Sequence, residues 1–117
     1  MNTEETINQL ASDIFLNAVN KGFHDRDNSE SVVDNYARWA ANIHGETSEL
    51  WEAARRGKLE DQCDKDCVLT CEEEELADII IRALDTAQAR NLNIGRAVLV
   101  KMAYNSSRPH MHGGKLA

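Results

Sequence analysis

The stretch TCEEEELADIIIRALDTAQARN, residues 70–91, contains the clearest helix start in the chain. Thr70 is a suitable N-cap residue, and Glu73, three positions later, completes the sequence pattern of a capping box. The apolar residues that follow recur with the spacing of a helix rather than the alternation of a strand. Because the whole chain has only 1 proline and 6 glycines, little interrupts helix formation elsewhere. The sequence therefore predicts an all-α protein.

Similar signals divide the 117 residues into helices of a single domain. Thr3 is the predicted N-cap of the first helix and Ser29 or Ser31 that of the second, while Gly22 and Gly57 mark their ends. The predicted helices cover about 3–21, 30–56, 71–91 and 94–107, with a tail over 108–117. Helices of this length joined by short links predict an antiparallel four-helix bundle.

Composition excludes several classes of function. The net charge is −7 and the basic residues form no stripe, so we expect no binding to nucleic acid. No apolar run approaches the roughly 18 residues of a membrane span, so we expect no membrane partner. The acidic start MNTEETINQL lacks the pattern of a signal peptide. These features predict a cytoplasmic protein.

The three cysteines lie close together in CDKDCVLTC, at Cys63, Cys67 and Cys71. An odd number without a secretion signal argues against a disulfide framework, so the sequence predicts reduced thiols. The spacing also departs from the paired CxxC pattern of structural zinc sites, and the histidines are remote, which disfavours zinc.

Two acidic residues of the second helix share its apolar face. At about 100° per residue, Glu46 and Glu49 lie on the same side as Trp39, Ile43 and Leu50. An isolated buried carboxylate is costly unless a cation or hydrogen-bond donors compensate it. A single ExxE motif on a helix is ordinarily part of a solvated face, so this pair indicates a functional site only if a second pair lies on a facing helix.

The third helix repeats this spacing with Glu75 and Asp78 beside a broad apolar surface. If the two helices pack side by side, four carboxylates converge. A set of oxygen donors without histidine or cysteine favours Mg²⁺, with Mn²⁺ as a substitute, and argues against a di-iron centre built on ExxH pairs. Such a Mg²⁺ site points to a phosphate ester as substrate. The acids Glu72 and Glu74 are attributed to the helix start alone.

The last helix carries a polar stripe of Lys101, Asn105 and Arg108 at steps of four and three. Two cations and an amide suit the oxygens of a triphosphate. The alternative is a basic helix end that complements the helix dipole and binds no ligand.

These motifs together resemble those of the MazG-like all-α nucleoside triphosphate pyrophosphohydrolases, which include dimeric dUTPases and dCTP pyrophosphatases. The similarity lies in the ExxE motif from Glu46 to Glu49, the ExxD motif from Glu75 to Asp78, and KMAYNSSRPHMHGGK from Lys101. It covers about residues 31–115, and the segment 58–69 is not part of the motif.

The resemblance implies an oligomeric helical bundle, a homodimer or homotetramer, whose active site is completed near the subunit contact. It implies hydrolysis of a nucleoside triphosphate, a deoxynucleotide or a non-canonical one, to the monophosphate and pyrophosphate. Mg²⁺ would be held by the catalytic carboxylates, and the polar stripe would contact phosphates or sugar. The residues to which this applies are Glu46, Glu49, Glu75 and Asp78 for the metal and Lys101, Asn105 and Arg108 for the substrate.

Base recognition in such enzymes varies, so Phe23, Trp39, His44 and Trp51 are only candidates, and Trp39 and His44 are equally compatible with core packing. Two other functions are compatible with the same motifs. One is a non-catalytic helical dimer that binds nucleotide or regulates a partner. The other is a metal-dependent phosphatase or a hydrolase of another nucleotide.

Overall fold

The computed structural model describes residues 1–63 and 68–110. Its helices are α1 Thr3–Asn20, α2 Val32–Arg55, α3 Cys71–Ala89 and α4 Ile94–Ser107, with a 3-10 helix at Asp27–Ser29 between α1 and α2. Within the described residues the only β-structure is an isolated bridge between Gln62 and Thr70. The predicted all-α class with four helices is therefore confirmed. The end of the predicted tail, residues 111–117, lies outside the described part.

Polar side chains set the starts of the helices. The predicted capping box at α3 is present: the Glu73 N–H donates to the Thr70 hydroxyl at 3.2 Å, and the Thr70 N–H donates to the Glu73 carboxylate at 3.0 Å. The predicted cap of α1 is wrong by one residue. Asn2 is the N-cap, because its Oδ1 accepts the Glu5 N–H at 2.8 Å, and Thr3 is already helical.

A residue with a left-handed backbone conformation (positive φ) follows the end of each of the first three helices. Gly22 follows α1 with φ 83° and Gly57 follows α2 with φ 69°, as their positions in the sequence predict. Asn91 adopts φ 55° after α3, which stops that helix at Ala89, two residues before its predicted end. Asparagine is the ordinary alternative to glycine in this conformation.

The third helix is the centre of the packing. It lies against α2 on one side and α1 on the other, and α4 packs mainly against α1. The two helices that would complete a ring, α2 and α4, share fewer contacts than any of these pairs. The order in space is therefore α2, α3, α1, α4, and the interface between α2 and α3 brings together the two acidic motifs. No helix within the described ranges is long and apolar enough to cross a membrane.

A close backbone approach joins α4 to α1. Gly95 is buried where α4 begins, and a Cβ added there would overlap the carbonyl oxygen of Glu4. The Asn8 side chain accepts the Gly95 N–H at 2.8 Å and donates to Asn93 Oδ1 at 2.8 Å. Glycine is required here because the helix start leaves no room for a side chain.

The apolar core of a single chain is small. The buried hydrophobic residues among those described are three alanines, one cysteine and one tryptophan: Ala11, Ala18, Ala87, Cys63 and Trp39. Large apolar side chains on all four helices remain open to solvent, among them Leu16 of α1 at 55%, Trp51 of α2 at 64%, Ile80 of α3 at 55% and Met102 of α4 at 60% exposed. With so few apolar residues buried, a single chain leaves many of its large apolar side chains in contact with water.

Candidate metal centre and the cavities beside it

Three carboxylates meet at the interface between α2 and α3. Glu46 comes from α2, and Glu75 and Asp78 come from α3, where a spacing of three residues puts both on one face. One oxygen from each lies within 4.8 Å of the others. Three like charges at this separation repel one another unless a proton or a cation intervenes.

An arginine compensates the first of these carboxylates. Arg82 Nε, one turn beyond Asp78 on α3, donates to Glu46 Oε1 at 2.8 Å. Burial raises the pKa of Glu46, but the hydrogen bond and positive charge of Arg82 outweigh burial and leave that pKa below its usual value. Glu46 is therefore ionised, and one of its oxygens is fixed by Arg82.

The pKa of Glu75 is shifted in the opposite direction, above its usual value. Burial, together with the hydrogen bond to Glu49 and the negative charges of Glu49, Glu46 and Asp78, raises the pKa of Glu75 to about 7. Its Oε2 atom is buried and has no hydrogen-bond partner among the described residues. A buried acceptor without a donor is costly. In the absence of a cation, Glu75 therefore retains a proton near neutral pH, and a cation at this point would remove the cost.

The residues present fit a hard divalent cation. All the donors are carboxylate oxygens, which are ligands of Mg²⁺ and Mn²⁺, and Glu75 offers an oxygen that no other group occupies. Glu46, Glu75 and Asp78 would hold such an ion. Glu49, which the sequence places on the apolar face of α2, is exposed and hydrogen-bonds to Glu75, so it lies at the edge of the cluster.

Two cavities flank the carboxylates. The larger, of about 440 Å³, is bounded by Glu49 and Glu75 and also by Arg56 and Lys58. The smaller, of about 310 Å³, is bounded by Glu46 and Asp78 and contains apolar side chains, including Phe23 and Ile81. Phe23 is 69% exposed. The acidic cluster thus separates a polar compartment from a partly apolar one.

A histidine with a buried side chain contacts two aspartates, one of which, Asp85, lines the smaller cavity. His24 Nδ1 lies 2.5 Å from Asp27 Oδ2 and His24 Nε2 lies 2.8 Å from Asp85 Oδ1, while the imidazole is 6% exposed and packs on Phe15. Burial lowers the pKa of His24, but the hydrogen bonds to Asp85 and Asp27 outweigh it and leave that pKa above its usual value. The imidazole therefore joins Asp27, in the 3-10 helix, to Asp85 on α3.

The polar stripe of α4 lies apart from these cavities. Lys101 Nζ is 4.7 Å from the centre of the Tyr104 ring, and Arg108 Cζ is 5.5 Å from the same centre. Lys101 and Asn105 are exposed, and none of the predicted stripe residues lines either cavity within the described chain. Both cations therefore make cation–π contacts with the ring of Tyr104.

Trp39 and His44, two of the candidates for base recognition, occupy different environments. Trp39 is 7% exposed and packs edge-on against Tyr36, with ring centres 5.3 Å apart. It is a core residue of α2 that lines neither cavity beside the described carboxylates. His44 is exposed on α2, two residues before Glu46.

The prediction that the cysteines are reduced is wrong for Cys63, which is disulfide-bonded. The sulfur of Cys71 lies 3.8 Å from the carbonyl oxygen of Gln62, to which it donates. Cys67 lies outside the described residues. A sequence cannot distinguish clustered thiols from a bond between them, because the pairing depends on how the chain turns. With its sulfur in a disulfide, Cys63 offers no thiolate to a zinc ion.

For some residues near the cluster, the sequence does not predict a position at the site. Glu74 is buried at 9% exposure, although its position in the first turn of α3 suggests a solvated acid. The preceding segment folds back over this turn, as the Cys71 N–H donates to the Asp61 carbonyl at 2.7 Å. Arg56 and Lys58 carry a sequence signal, since they follow the acidic motif of α2, but they resemble ordinary basic residues at a helix end.

No protein-family model, curated protein or solved structure matches the chain significantly. The resemblance of its motifs to MazG-like enzymes therefore stays a prediction.

Proposed function

We propose that this protein hydrolyses a nucleoside triphosphate to the nucleoside monophosphate and pyrophosphate with the help of Mg²⁺. The observation that carries the proposal is the buried Oε2 atom of Glu75, which has no hydrogen-bond partner in the described part of the chain and lies in a cluster with Glu46 and Asp78. A helical protein without a ligand at this point would gain stability if apolar residues replaced the carboxylates. A cation that also binds phosphate oxygens accounts for their presence.

Each acidic residue has a distinct part in the proposed reaction. Mg²⁺, when bound, supplies charge neutralisation for the phosphates and a lowered pKa for a bound water. Arg82 keeps Glu46 ionised and fixes its orientation. We assign proton acceptance to Glu49, because it is exposed and its carboxylate borders the larger cavity. Water attacks the α-phosphorus in line with its bond to the oxygen that bridges the α- and β-phosphates. As Glu49 accepts the proton of the water, that bond breaks and pyrophosphate leaves.

A second copy of the chain is part of the proposal. The exposed apolar side chains of α1, α3 and α4 supply a surface for a homodimer or a homotetramer. Lys101, Asn105 and Arg108 line neither cavity in one described chain, so a role for them in phosphate binding depends on such assembly. Sedimentation at micromolar concentration tests this part of the proposal, and a stable monomer contradicts it.

The reaction is tested with a panel of common and modified ribo- and deoxynucleoside triphosphates in Mg²⁺, with pyrophosphate and orthophosphate followed separately. We expect pyrophosphate release that EDTA abolishes and that Mn²⁺ partly restores. Orthophosphate as the first product would indicate a phosphatase instead. Neither product across the panel, from a folded protein, would favour the non-catalytic helical dimer, in which Arg82 alone compensates Glu46.

A further inference from the structure

The larger cavity beside the acidic cluster contains two basic residues that none of the motifs accounts for. Arg56 caps the end of α2, and Lys58 follows it after the left-handed Gly57. The turn is fixed by backbone hydrogen bonds, from the Gly57 N–H to the Ala54 carbonyl at 3.1 Å and from the Lys58 N–H to the Ala53 carbonyl at 2.8 Å. This pair of bonds forms a Schellman motif, which gives Lys58 a defined place at the cavity.

A carboxylate at the edge of the cavity orients Arg56. Arg56 Nε donates to Glu52 Oε1 at 2.6 Å. Its two Nη groups take part in no hydrogen bond with any residue that the structure describes, so they remain open to an anion. Arg55 binds the same carboxylate, with Nη2 at 2.8 Å from Glu52 Oε1, but Arg56 lines the cavity and Arg55 does not. The chain thus contains two adjacent arginines with a shared partner, of which one borders the cavity.

The charges around the cavity define what it can accept. Arg56 and Lys58 stand among a larger set of carboxylates: Glu49, Glu52, Asp61, Glu74 and Glu75. A free anion is repelled by this excess of negative charge, whereas an anion that arrives with a divalent cation is not. Guanidinium and ammonium groups in such a site favour phosphate oxygens, arginine by paired hydrogen bonds and lysine as a point charge.

The smaller cavity has a different character. The one cation among its described lining residues, Arg82, already donates to Glu46, and Phe23, Ile14 and Ile81 contribute apolar surface. The two compartments therefore differ in polarity. On the side bordered by Glu49 and Glu75, the Nη groups of Arg56 and the ammonium group of Lys58 have no hydrogen-bond partner among the described residues.

We infer that the larger cavity receives the pyrophosphate part of the substrate as its Mg²⁺ complex, with Arg56 and Lys58 binding the outer phosphate oxygens. This inference rests on the proposed function and gives the substrate a direction across the acidic cluster. The terminal phosphates lie toward the end of α2, and the nucleoside lies on the opposite side. It also makes Arg56 and Lys58 binding residues for the product that leaves.

Binding of inorganic pyrophosphate in excess Mg²⁺, measured by calorimetry on the full chain, tests the inference without turnover. Wild type is compared with Arg56→Gln and Lys58→Gln, and Arg55→Gln is the matched control. We expect each of the first two variants to weaken pyrophosphate binding at least about tenfold, as loss of a charge-assisted contact does. Arg55→Gln should change it less than about twofold, and EDTA should abolish binding in every protein.

Melting curves show whether the variants fold, and Lys58→Gln provides an independent test if Arg56→Gln does not. A wild-type protein that binds no Mg²⁺-pyrophosphate would overturn the inference, as would equal weakening in the Arg55 and Arg56 variants or no weakening in either cavity variant.

The proposed function is judged separately by the nucleotide panel. If wild type releases pyrophosphate from a triphosphate but Arg56→Gln and Lys58→Gln bind Mg²⁺-pyrophosphate with unchanged affinity, only the inference about the cavity is overturned. Tenfold losses in these variants without hydrolysis of any triphosphate would support the cavity and contradict the proposed reaction.

Discussion

Arg82 on α3 donates to Glu46 on α2 at 2.8 Å, so the two helices that carry the acidic motifs are joined by an ion pair inside the acidic cluster. The Glu46 side chain is 12% exposed and that of Arg82 is 43% exposed, which gives the pair partial protection from solvent. A cation that binds Glu46, Glu75 and Asp78 would share the task of charge compensation with Arg82. The relationship between arginine and metal can therefore be tested directly.

Removal of this arginine should destabilise the metal-free protein more than the metal-bound one. We expect Arg82→Gln to lower the free energy of unfolding in EDTA by about 1 kcal/mol, the scale of a partly exposed charged hydrogen bond. In saturating Mg²⁺ the loss should be smaller, because the cation compensates Glu46. Urea unfolding with and without Mg²⁺ measures both values. Equal losses under the two conditions would contradict a shared role.

The raised pKa of Glu75 predicts a pH dependence of stability. Between the ordinary value of 4.5 and the folded value of about 7, the folded state holds a proton that the unfolded state has lost. Stability in EDTA should therefore fall as pH rises through this range, and the loss should be complete above pH 7. Glu75→Gln should remove this part of the slope, which the difference between the two proteins in urea unfolding isolates. Parallel pH profiles would show that Glu75 titrates normally.

His24 predicts a second pH effect of the same sign. Because Asp85 and Asp27 leave its folded pKa above the usual 6.5, the stability that the charged imidazole contributes is complete below pH 6.5 and is lost as pH rises through the folded pKa. We expect His24→Gln to be more destabilising at pH 5.5 than at pH 8.5. NMR titration of the imidazole of wild type gives the pKa itself, and a value below 6.5 would refute the prediction.

Two glycines in helices should respond in opposite ways to alanine. At Gly95 the new methyl group meets the backbone of Glu4, so we expect Gly95→Ala to destabilise the protein by roughly 1–3 kcal/mol. A Cβ added at Gly45 would meet no atom of the described residues outside its own helix within 4 Å, so Gly45→Ala should stabilise α2 by about 0.5–1 kcal/mol. Chemical denaturation in EDTA compares them without any effect of bound metal. A stable Gly95→Ala variant would mean that α4 does not approach α1 so closely.

The local features of the fold could be predicted from the sequence. The capping box of Thr70 and Glu73 and the turns at Gly22 and Gly57 depend on a few neighbouring residues, and all of them are present. The cap of α1 is displaced to Asn2 because two adjacent polar residues both satisfy the rule, and only the observed hydrogen bond distinguishes them.

The long-range features could be predicted only in part. Helical periodicity correctly predicts that Glu46 is buried, but Glu49, about 60° to the other side of the apolar face, is exposed. The ion pair of Glu46 with Arg82 spans 36 positions, and the burial of Glu74 depends on the fold of the preceding segment. Neither follows from the spacing of residues along one helix.

In the proposed reaction, Glu46, Glu75 and Asp78 hold the ion that catalysis requires, and Glu49 accepts the proton of the attacking water. Turnover of the preferred triphosphate in saturating Mg²⁺ tests this assignment most directly, with wild type, Glu49→Gln and Asp78→Asn compared and Glu72→Gln, an exposed acid in the first turn of α3, as control. We expect Glu49→Gln and Asp78→Asn each to lower pyrophosphate release at least about a hundredfold, whereas Glu72→Gln should not. Near-wild-type release by either Glu49→Gln or Asp78→Asn would contradict the assignment.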